Sequence, residues 1–79
     1  MPDIDYAVVL FRSTQAAIKA ERVLLRQGFN VKLIPTPRQL SSSCGTAVRC
    51  LWEDEGGVRT ALKAGGVEWE GVHRLTVRR

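Results

Sequence analysis

The period of the apolar positions changes several times along the chain, and each change marks an element. Tyr6-Ala7-Val8-Val9-Leu10-Phe11 is an unbroken apolar run with β-branched and aromatic members, which predicts a buried strand. Ser13 follows as an N-cap, with Thr14 close behind. From Gln15 to Gln27 the pattern turns helical, and Ala16, Ala17, Ala20, Val23 and Leu24 share one face. Gly28 ends that helix. Ile18 and Leu25 fall on its opposite side, either as ordinary exposed apolar residues or as a self-association face for a weak homodimer.

Asn30-Val31-Lys32-Leu33-Ile34 alternates and is ended by Pro35, which reads as a half-buried strand. The stretch Pro35-Thr36-Pro37-Arg38-Gln39-Leu40-Ser41-Ser42-Ser43 reads as a loop. Its prolines remove backbone donors and its serines favour local side-chain bonds. A third strand is predicted from about Thr46 to Trp52. Glu53-Asp54-Glu55 places acids where a helix N-terminus favours them, and Val58, Ala61 and Leu62 form the apolar face of a second helix. Gly56 and Gly57 weaken its first turn by roughly 1 kcal/mol each relative to alanine. Gly65-Gly66 ends it. Val67, Trp69, Val72, Leu75 and Val77 read as a final strand, bent or bulged at Gly71.

The order is βαββαβ. Each helix has one apolar stripe, so both must cover the same face of a four-stranded antiparallel sheet. That is an α+β, ferredoxin-like sandwich.

Composition narrows the function classes. At 79 residues the chain is expected to be a single domain over residues 1–79. A chain of this size buries only about 60–65% of its unfolded surface, so a shallow site is expected rather than a deep cleft. No apolar run approaches the ~18 residues of a membrane span, so no membrane partner is expected. The acidic start, Met1-Pro2-Asp3-Ile4-Asp5, lacks the basic region of a secretory signal, and a cytoplasmic protein is expected. Twelve Lys and Arg against eight Asp and Glu give a net charge of +4. That is either a solvated surface or an anion-binding one. Two cysteines and the lone His73 fall short of a closed four-ligand zinc site, so no metal and no cofactor are expected.

Chemistry concentrates around Cys44. A cysteine followed by glycine, after a polar loop and before a strand, is placed for exposure. The backbone N–H groups of Ser42, Ser43, Cys44 and Gly45 can form an anion-binding nest, and Arg38 and Arg49 can bring positive charge to it. Such surroundings hold a thiolate. The residues alone leave a second reading open, an inert cysteine in a turn with both arginines paired to surface acids.

The run Ile34-Pro35-Thr36-Pro37-Arg38-Gln39-Leu40-Ser41-Ser42-Ser43-Cys44-Gly45-Thr46-Ala47-Val48-Arg49, preceded by Ser13-Thr14 and Ala20-Glu21, resembles the Se/S carrier protein-like family of small bacterial proteins. The resemblance covers nearly the whole chain, from the first strand through the second helix. The matching positions are Thr36, Pro37, Arg38, Ser41, Ser42, Ser43, Cys44, Gly45 and Arg49. It implies a small cytoplasmic domain that carries sulfur or selenium on its cysteine between a donor and an acceptor protein. Here that residue is Cys44, with Thr36, Pro37 and Ser41 as loop scaffold. Such a protein relays an atom rather than acting as an independent enzyme. Departures from the family are Gly56-Gly57 and the basic end Arg74…Arg78-Arg79.

Cys50 shares parity with Val48 in an apolar strand and is expected in the core. If residues 44 to 50 are extended, the two cysteine Cα atoms lie about 20 Å apart, too far for a disulfide. His73 is expected on the surface, and Trp52 and Trp69 in packing roles. Two other readings compete with the carrier. One is a regulatory or protein-interaction domain with an incidental cysteine. The other is a nucleic-acid module, since βαββαβ is also the RRM topology. The central positions Ala7-Val8-Val9-Leu10 and Ala47-Val48-Arg49-Cys50-Leu51 offer no aromatic on which bases could stack, so no specific nucleic-acid partner is expected.

Overall fold

The computed structural model describes residues 3–40 and 44–78. The elements are β1 (Ile4–Leu10), α1 (Thr14–Arg26), β2 (Val31–Pro35), β3 (Thr46–Leu51), α2 (Glu55–Ala64) and β4 (Gly71–Val77), with a 3-10 turn over Trp52–Asp54 leading into α2. The strands form one antiparallel sheet in the order β2-β3-β1-β4. This is the ferredoxin-like α+β arrangement the apolar pattern predicts.

Both helices end in the same way. After α1, the Phe29 amide donates to the Leu24 carbonyl and the Gly28 amide to Leu25, both at 3.0 Å. Gly28 makes the turn at φ 87°, where a Cβ would be strained. After α2, Val67 donates to Leu62 at 2.9 Å and Gly66, at φ 71°, to Lys63 at 3.1 Å. Val67 is buried in the same cluster as Leu62, an apolar contact that accompanies this helix end. That corrects the reading of the last strand. Val67 and Trp69 mimic a two-residue period, but Val67 locks a helix end and the strand begins only at Gly71. Gly71 pairs with Leu10 within the ladder and marks no bulge.

The main core lies between sheet and helices. Ala7, Val9, Val48 and Cys50 meet Ala17, Ala20 and Leu24 of α1 and Val58 and Leu62 of α2. The register lines these strand residues up, Val31 with Cys50 with Ala7, and Leu33 with Val48 with Val9. The other face holds a smaller core. Val8, Leu10 and Ala47 are buried there, packed by Ile34, Leu75 and Leu40. Leu40 belongs to the loop that leads to Cys44, and it lies against the sheet's second face. Trp52 sits in the 3-10 turn rather than in the strand, with the Arg74 guanidinium 5.0 Å from its ring.

Candidate functional site: a thiol at the start of a helix

The topology brings Cys44 to α1. Since β3 runs antiparallel beside β1, its start adjoins the end of β1, where α1 begins. Ser13 caps α1 by accepting from the Ala16 amide at 3.1 Å, so Thr14 is the first helical residue. Its Oγ1 lies 3.4 Å from Cys44 Sγ. The Thr46 amide donates to the same sulfur at 3.3 Å, the thiol S–H reaches the Thr46 carbonyl at 3.5 Å, and the Thr46 hydroxyl stands 3.5 Å from that of Thr14. The first turn of α1, which brings the Thr14 hydroxyl to the sulfur, carries no acid of its own.

The loop is tied at its base by Thr36. Its amide donates to the Gly45 carbonyl at 2.9 Å and its hydroxyl to the Cys44 carbonyl at 3.0 Å. The half-buried thiol is held below the ordinary cysteine range, first by the Thr14 hydroxyl. Lost solvation works against this, the Thr46 amide and hydroxyl add to it, and the charge of Glu70 opposes it. Cys50, at the other end of β3, is the opposite case. It is 1% exposed, and burial pushes its thiol up to about 11, with Asp54 and Glu55 adding to the rise.

The sequence-derived site is assembled only in part. Thr36 and Gly45 join Cys44 as described. Gly45 does so without a positive φ, and a Cβ on it would meet nothing within 4 Å, so its lack of a side chain is not sterically required. Pro37 opens a turn closed by the Leu40 amide at 3.0 Å, and Arg38 is exposed on that turn. Ser41, Ser42 and Ser43, and with them most of the proposed nest, lie outside the described residues.

Arg49 is not a partner of the thiol. Alternation along β3 sends Thr46, Val48 and Cys50 to the helix side and Arg49 to the other face, where its guanidinium lies 4.4 Å from the centroid of the Tyr6 ring. Two residues of the site were not expected from the sequence, Thr14 and Thr46. The signal existed, because in this fold the third strand starts beside the first helix, and a hydroxyl residue stands at each of those starts.

Among the described residues no group of three or more His, Cys, Asp or Glu side chains is placed to hold a metal ion. No helix is long and apolar enough to cross a membrane. Fold and site together define a small ferredoxin-like protein with one addressable thiol. The family described as "Putative Se/S carrier protein-like" matches residues 5–74, and the chain belongs to it. No curated protein and no solved structure matches the chain.

Proposed function

We propose that the protein carries sulfur or selenium as a persulfide or perselenide on Cys44, relaying it from a donor protein to an acceptor. The observation that carries this reading is the pair of threonines around Sγ at the start of α1. A thiolate held by a hydroxyl and an amide is a nucleophile at neutral pH. It attacks the outer sulfur of a donor persulfide. The donor's S–S bond breaks, the donor cysteine leaves as thiolate, and a new S–S bond forms on Cys44. No net oxidation occurs. The loaded group is itself anionic at neutral pH and uses the same donors. Both cysteines are free thiols, a state that a reducing compartment such as the cytoplasm maintains.

Intact mass spectrometry after incubation with a cysteine desulfurase and cysteine tests this. One reducible sulfur should add to the wild type and to Cys50→Ser, and none to Cys44→Ser. An adduct that persists in Cys44→Ser and vanishes in Cys50→Ser overturns the site. No adduct on either cysteine favours an interaction domain with an incidental thiol.

A further inference from the structure

At the end of the sheet where β1 stops and β4 starts, the surface folds into a groove of about 570 Å³, lined by Arg12, Lys63, Val67, Glu68, Trp69 and Glu70. Pockets that take small ligands run roughly 300–1,000 Å³. Groove and thiol share one end of the sheet. Arg12 stands two residues before Thr14, whose hydroxyl touches Sγ. The Glu70 amide donates at 2.7 Å to the carbonyl of Leu10, which pairs with Ala47, the neighbour of Thr46. The charge of Glu70 also reaches the Cys44 thiol.

The lining carries both signs. Among the described residues Arg12, Lys63 and Glu68 make no ion pair. Val67 is fixed by its bond to Leu62, and with Trp69 it supplies an apolar wall. A ligand with a carboxylate, an ammonium and a short carbon stem complements all three features. Arg12 and Lys63 suit its carboxylate, Glu68 its ammonium, and the wall packs its stem.

We propose that this groove seats a low-molecular-mass zwitterionic thiol, an amino acid or short peptide, that accepts the outer atom from Cys44. The proposal rests on the carrier reading of Cys44. The seated thiolate attacks the outer sulfur of the Cys44 persulfide. The S–S bond to Cys44 breaks, Cys44 leaves as a thiolate received by Thr14 and Thr46, and the acceptor departs as a persulfide. Electrons balance without an added oxidant or reductant.

The test begins with protein loaded at Cys44 and verified by mass. Discharge is then timed against concentration for cysteine, glutathione and neutral 2-mercaptoethanol, each corrected to its thiolate. Cysteine or glutathione should saturate, and 2-mercaptoethanol should stay linear. In Lys63→Glu, a change at an exposed position, the rate ratio of zwitterionic to neutral thiol should fall by roughly tenfold or more, as reversing one charge in the lining allows. Trp69→Ala should lower the same ratio. A loaded protein that discharges to all three thiols alike, whose ratio ignores Lys63→Glu, or that yields its cargo only to a protein acceptor overturns this proposal alone. A protein that never loads overturns the carrier reading and this proposal with it.

Discussion

Thr14 and Cys44 are 30 positions apart in the chain, yet the Thr14 hydroxyl stands 3.4 Å from the Cys44 sulfur. Thr14→Val keeps the shape and removes the donor that lowers the thiol pKa most. The pKa should rise, and iodoacetamide alkylation at neutral pH should slow several-fold. Thr14→Ser should recover most of the rate. An alkylation curve that Thr14→Val leaves in place would remove the hydroxyl from the mechanism.

Arg49→Gln, by contrast, should leave the Cys44 titration where it is. The side chain serves the other face, where its contact with Tyr6 has a typical value of about 0.5–1 kcal/mol. Chemical denaturation should register a loss of that size or less. A shift in the thiol titration would tie Arg49 to the site after all.

Cys50 makes stability fall in alkaline solution. Its folded-state pKa of about 11 lies above the unfolded value of 9.0, so between these the unfolded chain has lost a proton that the folded one keeps. Its contribution is intact below about pH 9 and is lost as pH rises through 11, up to roughly 3 kcal/mol in all. Cys50→Ala should flatten this limb of the pH–stability curve while lowering stability at neutral pH. Cys50→Ser should cost about 1–3 kcal/mol at neutral pH. In the folded protein near pH 8, one thiol should react quickly with Ellman's reagent and the second only on unfolding.

The adjacent glycines of α2 should respond in different ways to alanine. A Cβ at Gly56 would meet nothing within 4 Å, whereas one at Gly57 would stand 3.0 Å from Phe29 Cζ. Gly56→Ala should stabilise by about 0.5–1 kcal/mol, a rise of several degrees in Tm. Gly57→Ala should gain less or destabilise, because the Phe29 ring must move. Equal gains from both would mean that the ring yields freely.

Nucleic acid should bind weakly if at all. Tyr6 is an aromatic on the sheet face away from the helices, but Arg49 lies over its ring. Any binding should be electrostatic and collapse with salt. Submicromolar binding of single-stranded RNA at moderate salt would revive that reading.

The fold was readable because the signals were local. The Tyr6–Phe11 run, the Ser13 cap and Gly28 each report on a few neighbouring residues. Val67 and Trp69 misled because an apolar lock at a helix end has the same two-residue spacing as a strand. The candidate site was legible where its groups sit in one segment, as Cys44 and Thr36 do. Thr14 was hidden because its role depends on the pairing of β1 with β3, a contact across the sheet. Arg49 was misplaced for a simpler reason. Nearness along an extended strand is not nearness in space, and strand parity already turned it away from the helix side.

The placement of the two cysteines at opposite ends of β3 has a chemical result. Many thiol proteins keep a resolving cysteine within reach, which attacks the loaded one, closes a disulfide and releases the cargo. Here the extended stretch from Thr46 to Cys50 alone spans about 13 Å and leaves the second thiol buried beyond it. A persulfide carried on Cys44, as proposed, would have no internal exit through Cys50. Its lifetime would then be set by how often an acceptor arrives, and the loaded state would persist until a second molecule ended it.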